Sequence, residues 1–174
     1  LQAQPESVHF DYSENPALLF AQSFGIGNNV WTNELYTIDP NDLALTTINT
    51  GTTAVSSSGD FAVGDVDHMW IIDMDDSHLK RLDVNTGLTG QSIFVDLPMP
   101  NGMWTVLTIN KVTGEFFGVA TNGTYSEIHI IDPVSGDLTP FLTLEIPAVV
   151  SGTFDGGNLL YLFDIAQDNM WVID

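Results

Sequence analysis

One phrase recurs along this chain and restricts what it can fold into. At Ile128–Thr139 it reads IHIIDPVSGDLT: an alternating apolar run ending in Asp132, a Pro-Val-Ser-Gly turn, and the start of a new run. The phrase also stands at Leu35–Thr46 (LYTIDPNDLALT) and Leu79–Thr89 (LKRLDVNTGLT), and a fourth copy opens at Met170 as MWVID. Its marker aspartates, Asp39, Asp83, Asp132 and Asp174, lie 44, 49 and 42 residues apart. Alternation with a period of two marks a strand. An Asp followed by Pro and then by Ser/Thr-Gly marks a tight turn, because the carboxylate accepts backbone N–H groups and Pro presets the first turn residue. The four aspartates are therefore read as structural turn residues. A ligand role would require them to converge, and the repeat spreads them one to a unit.

The likeness extends beyond the phrase. Met69–Asp83 and Leu160–Asp174 align without a gap, with Trp70 on Tyr161, Asp73 on Asp164, Leu79 on Met170 and Leu82 on Ile173. Each is a strand, a polar link and a second strand. The complete unit has four strands, a to d. In the first unit these are Val8–Tyr12, Leu18–Phe24, Leu35–Asp39 and Leu45–Asn49. In the second they are Phe61–Val66, Met69–Met74, Leu79–Val84 and Ser92–Leu97. The third has Trp104–Asn110, Glu115–Thr121, Glu127–Asp132 and Thr139–Leu144. The fourth has Val150–Phe154, Leu159–Ile165 and Met170–Asp174, with no strand d. The repeats span roughly 8–49, 61–97, 104–144 and 150–174 of a single domain, 1–174. No stretch keeps a helical period.

A four-stranded unit repeating every 40–50 residues or so has the period of a β-propeller blade. The expected fold is all-β: a β-propeller or propeller arc of about four blades of four antiparallel strands, the last incomplete. The marker phrase resembles the ΦxΦIDPxTG hairpins of the quinoprotein-like, YVTN-type and SMP-30-like propellers, and the resemblance runs over nearly the whole chain as a pattern. The WD dipeptide of WD40 blades and the DxDxDG string of integrin-like blades are absent. The missing strand d leaves two readings. Either the chain is part of a longer propeller, which is favoured, or Val8–Tyr12 supplies the strand. An arc with open edges exposes unpaired backbone and invites self-association. Leu1-Gln2-Ala3-Gln4 has no initiator Met and no visible signal peptide, and reads as processed or trimmed.

Composition narrows the function. The 174 residues are 44% hydrophobic but only 15% charged, and 3 Lys+Arg against 23 Asp+Glu leave a net charge of −20. Such a surface repels phosphate, which argues against nucleic acid and anionic membranes, and attracts Ca²⁺. There is no Cys, so disulfides, thiolate catalysis and Cys-based metal sites are excluded. No run of about 18 apolar residues is present, so no membrane-spanning helix is expected.

The densest acidic stretch is Asp65–His68 followed by Asp73–His78. Asp73, Asp75 and Asp76 could ligate Ca²⁺, the cofactor to expect if there is one; a solvated acidic rim is the bland alternative. If strands alternate in direction, Asp67 and His68 lie at one end of the unit and Asp75, Asp76 and His78 at the other. Asp73 and Asp164, equivalent in the repeat, sit inside apolar strands and must meet a channel, a partner or solvent. His9, His68, His78 and His129 show no zinc-ligand spacing. Trp70 and Trp171 lie within strands and read as core. Trp31 lies in the Gly/Asn-rich stretch Gly25–Asn33, a long b–c link, where a Trp can offer a flat apolar surface to a sugar or peptide. On a propeller, b–c and d–a links share one face. That expected ligand-binding face holds Trp31, Asn28, Asn29, Tyr125 and the Pro98–Trp104 link with Trp104. Asn122-Gly123-Thr124 is an N-glycosylation sequon in a turn.

The leading expectation is a non-enzymatic, secreted or cell-surface binding or adhesion module using that face, with a carbohydrate or protein ligand. Two alternatives stand beside it. The resemblance to SMP-30-like propellers implies a metal-dependent hydrolase or lactonase, whose Glu, Asn and Asp ligands are matched here by composition only. The quinoprotein dehydrogenases of the same fold need cofactor contacts, vicinal cysteines among them in some, that this chain lacks. The third reading is a structural repeat segment of a large secreted protein.

Overall fold

The computed structural model describes residues 19–27, 30–39, 41–50 and 58–174, with the backbone alone for 19–34, 49 and 50. Every regular element among them is a strand. The first sheet holds β1 (Leu19–Gly27), β2 (Val30–Ile38) and β3 (Leu45–Thr50). The second holds β4 (Gly59–Phe61), β5 (His68–Ile72), β6 (His78–Asp83) and β7 (Thr89–Phe94) in chain order. The third holds β8 (Met103–Ile109), β9 (Phe116–Thr121), β10 (Ser126–Ile131) and β11 (Leu138–Leu144). The fourth holds β12 (Val149–Phe154), β13 (Leu160–Asp164) and β14 (Asn169–Ile173). All pairs are antiparallel meanders, so each sheet is one blade of an incomplete propeller arc. Strand a of the first unit, Val8–Tyr12, lies outside the described residues.

Two expectations change. Phe61–Val66 is strand only at Phe61, the end of β4, and its remaining residues form the turn before β5, with Asp65 N bonded to Ala62 O. Gly25–Asn33 is not an open link: β1 and β2 pair continuously from Leu19↔Ile38 to Gly27↔Val30. The extra residues lengthen the hairpin, and Trp31 stands within β2 opposite Ile26. Asn28 and Asn29 lie outside the described residues.

Hairpins are closed by one repeated device. At Asp39, Asp73, Asp83, Asn110 and Asp132 the backbone N–H donates to the carbonyl five residues on, and the backbone carbonyl accepts the N–H four residues on. The side-chain Oδ1 of each accepts the N–H two residues on, at 2.7–2.9 Å. The fifth residue is driven to positive φ: Leu43 (61°), Ser77 (57°), Gly87 (68°), Gly114 (78°) and Gly136 (81°). The marker Ser/Thr-Gly is this position, where Gly escapes the Cβ penalty.

Neighbouring blades stack through three apolar layers, because alternate residues of each strand face opposite sides. Met69, Ile71 and Leu82 face the first blade and pack with Leu35. Trp70, Ile72 and Leu79 face the third and pack with Trp104, Leu107, Ile109, Phe116 and Ile131. Phe117, Val119 and Ile128 face the fourth and pack with Val149, Leu160 and Leu162. Trp70 meets Phe116 edge-on at 5.3 Å, and Phe117 meets Phe154 at 4.9 Å.

The inner edges are tied by polar side chains. Leu107 N donates to Ser58 Oγ at 2.8 Å, and Ile109 N donates to Asp60 Oδ2 at 2.8 Å. Lys111 Nζ donates to Asp60 Oδ1 at 2.6 Å. Ser58, beside the inner strand β4, and Asp60, within it, thus satisfy N–H groups of β8.

The left-handed turn position separates two costs. A Cβ on Gly114 would meet nothing within 4 Å, whereas one on Gly136 would lie 2.1 Å from Phe94 O of the neighbouring blade. Gly114→Ala should lower the unfolding free energy by about 1 kcal/mol. Gly136→Ala should cost about 3 kcal/mol or more, since it adds an inter-blade clash to the same backbone strain. Urea unfolding of the two variants checks the difference.

Candidate functional site

Antiparallel order places the a–b and c–d turns at one end of the blades and the b–c turns and d–a links at the other. The c–d turns after Asp39, Asp83 and Asp132 are copies of one another. The b–c links are not: one joins strands paired as far as Gly27↔Val30, one is the six-residue device at Asp73, one is short, with Asn122 N bonded to Tyr125 O, and one joins strands paired as far as Asp164↔Asn169. The d–a link of the second blade runs through Pro98 to Gly102, with Asn101 at φ 57°, into Met103, which is half exposed.

Of the residues expected on this face, Tyr125 is there, half-buried beside the turn that Asn122 Oδ1 closes by accepting Thr124 N and Tyr125 N. Trp104 is not. Its side chain is wholly buried between the second and third blades, edge-on to His129 at 6.3 Å. Alternation turns a residue at the start of strand a inward, which a reading of it as link could not show. Trp31 is placed in β2 by its backbone. Trp171, read as core, is 39% exposed, because β14 is an outer strand with no described neighbour on its far side. Asp174 stands directly after β14, as Asp132 stands after β10, while Asp83 is the last residue of β6.

The acidic stretch divides in two, at opposite ends of β5. At its end, Lys80 Nζ lies 2.6 Å from Asp73 Oδ2 and 2.7 Å from Asp76 Oδ2. This departs from the expected Ca²⁺ site. Lys80, reaching from β6, stands between two of the three carboxylates, and Asp75 is exposed to solvent. Among the described residues no three His, Asp or Glu are gathered so as to hold a metal ion. Burial alone would push the Lys80 ammonium down. Its hydrogen bonds to Asp73 and Asp76 outweigh that and raise it. Burial likewise opposes ionisation of Asp76, and the Lys80 hydrogen bond and charge lower it instead.

At the start of β5, Arg81 reaches Asp65 through Nε at 3.1 Å and through its terminal Nη2, and His68 Nδ1 lies 2.9 Å from Asp65 Oδ1. Burial raises the Asp65 carboxyl, but the hydrogen bonds of His68 and Arg81 overcome it and hold it at about 2, against an ordinary 3.8.

Asp164, the repeat partner of Asp73, is wholly buried. Its Oδ1 accepts Ala166 N at 2.9 Å, while Oδ2 has no hydrogen-bond partner. The repeat places Trp171 where Lys80 stands, so the ion pair of the second blade has no counterpart in the fourth. The Lys80 and Arg81 pairings were not foreseen. Their signal was two adjacent basic residues in a chain that has three in all.

Two outcomes follow from these clusters. Lys80→Met should cost about 3–5 kcal/mol, because it leaves Asp73 charged and buried. Asp73→Asn in the same chain should recover most of that, as the amide oxygen still accepts Asp75 N; a double-mutant cycle in denaturant reads the coupling. Asp65 keeps its charge in the folded chain down to about pH 2 but takes up a proton near 3.8 when unfolded. Its contribution is therefore complete above about pH 4 and is lost as the pH falls towards 2. Asp65→Asn should flatten the fall of melting temperature across that interval.

No family model matches the chain, and no curated protein matches it. Among solved structures, a chain of a nidogen/laminin complex is similar with a TM-score of 0.59 at 12% identity, over 90% of this chain and 73% of that one. The WD40 β-propeller domain of Doa1 matches with a TM-score of 0.49 at 14% identity, over 82% of this chain and 43% of that one. At such identities the likeness is one of fold: the chain is an all-β arc of propeller blades.

Proposed function

We propose that this chain is a non-enzymatic binding module, secreted or at the cell surface, which takes a protein ligand on the face of the b–c turns and d–a links. The observation that carries the reading is the contrast between the two ends of the blades. At one end the three c–d turns, after Asp39, Asp83 and Asp132, are copies of a single self-satisfied turn; at the other the b–c turns differ from blade to blade, and that end offers half-exposed Met103, half-buried Tyr125 and the backbone position of Trp31. A rigid scaffold with variation confined to one loop face is how repeat folds build recognition surfaces. The similar chain in the nidogen/laminin complex supports protein over carbohydrate as the ligand class. The acidic surface, at −20, favours a partner with a basic patch.

The test is a binding screen on arrays of extracellular proteins and of glycans, with each protein hit measured by titration. Replacing Met103 and Tyr125 by Ser should weaken a genuine hit at least about tenfold, as loss of central contacts does. Val134→Ser, on an 81% exposed residue at the opposite end of the blades, should leave it unchanged. A hit sensitive to Val134 and indifferent to Met103 and Tyr125 would refute the face. Binding to glycans alone would refute the ligand class.

A further inference from the structure

A cavity of about 510 Å³ lies between the link that leaves the second blade and the outer two strands of the third. Its size is that of a ligand site. Pro98 of the link forms one wall, and Glu127 and His129 of β10 with Pro140 and Thr143 of β11 contribute to the others. Every lining residue belongs to that link or to the third blade, whose four strands are all present. The cavity adjoins the variable face. Glu127 follows Tyr125 by two residues, and Tyr125 and Ile131 pack into the layer shared with the second blade, so alternation sets Glu127 and His129 on that side as well.

Strand pairing gathers the polar groups. Glu127 stands opposite Thr143 and His129 opposite Pro140, and the register shift between Ile128 and His129 leaves Phe141 out of the ladder. His129 Nε2 lies 3.0 Å from Glu127 Oε2, while Nδ1 is buried with no hydrogen-bond partner among the described residues. Those partners assign the ring's proton to Nε2, so the imidazole orients the carboxylate and leaves its charge in place. Trp104 stands edge-on to the same ring at 6.3 Å. No cation of this chain answers Glu127: Lys80, Arg81 and Lys111 are each paired with Asp elsewhere. Pro98 and Pro140 have no N–H to donate, so they offer apolar ring surface and carbonyl oxygens only.

We propose that this cavity receives a Lys or Arg side chain of the protein ligand, with its aliphatic stem against Pro98 and Pro140 and its charged head on Glu127. The inference rests on the binding face argued above and adds the residue type that the ligand must present there.

The probe is the capped tripeptide Gly-Lys-Gly, with a Gly-norleucine-Gly twin that keeps most of the stem and lacks the charge. In NMR titrations of the full chain, the lysine peptide should shift the His129 imidazole and the Glu127 and Thr143 amide signals along a saturable curve. The norleucine twin should bind at least about tenfold more weakly. High salt should narrow the difference. Glu127→Gln keeps an oxygen to accept the His129 N–H, so its melting temperature should stay near that of the parent chain while binding of the lysine peptide falls at least about tenfold. Met103→Ser with Tyr125→Ser should leave that binding intact, because the probe fills the cavity alone. Equal binding of the two peptides, shifts that never saturate, or binding unchanged by Glu127→Gln overturns the proposal. A protein ligand separates the cavity from the wider face. A ligand weakened by Glu127→Gln alone supports the cavity and refutes the face of Met103 and Tyr125. One weakened by the Met103 and Tyr125 replacements alone does the reverse.

Discussion

A tight hairpin turns several backbone N–H groups away from any strand partner, and in this chain one acidic or amide side chain in each such hairpin meets that need. The Oδ1 of Asp39, Asp73, Asp83, Asn110 and Asp132 stands in the same place relative to its turn. A hydrogen bond to a carboxylate stabilises by about 1.5–3 kcal/mol, more than a neutral one, so a series of them is a substantial part of what keeps short meanders closed. Because the device also sets turn length, it fixes register, and register decides which residues face each neighbouring blade. The stacking of blades therefore rests on turn chemistry at one end of each hairpin.

Packing within the last three blades depends on one recurring pair between the two inner strands, where a missing Cβ leaves room for a core side chain. Gly59 lies opposite Ile71, Leu107 opposite Gly118, and Gly152 opposite Leu162. In each pair one member is Gly, and an added Cβ would come within 2.6–2.7 Å of a side chain of the same blade: Ile71, Ile131 and Leu162 respectively. At Gly118 the vacated space takes the Trp104 ring and Ile131. The Gly can stand on either strand because the two share one face, so the constraint belongs to the pair rather than to a sequence position. That is why it left no visible trace in the repeat.

The few positive charges of the chain are all held by carboxylates, Lys80 buried and Arg81 and Lys111 nearer the surface. Lys80, Arg81 and Lys111 make up the whole basic complement, and each is paired with Asp. The remaining carboxylates leave a surface of one sign. Such a surface disfavours association between copies and draws in basic partners, and both tendencies bear on the variable loop face.

The chain's own residues determined the blades. Period-two alternation and the Asp-x-x-x-Gly turn are local, and both are legible wherever backbone pairing alone decides the outcome. Each expected strand that falls on described residues is present within a few positions except Phe61–Val66, where β4 runs Gly59–Phe61 and residues 62–66 form the turn before β5. What the tertiary structure decided was which side chains are spent inside the fold. Asp73 and Asp76 look like cation ligands until β6 brings Lys80 between them, and Trp104 looks like a surface ring until the second blade covers it. Trp171 is 39% exposed among the described residues, which hold no strand beyond β14 to cover it. Burial and ion pairing are relations between distant segments, set by how blades stack, and no window of sequence contains both partners of such a contact.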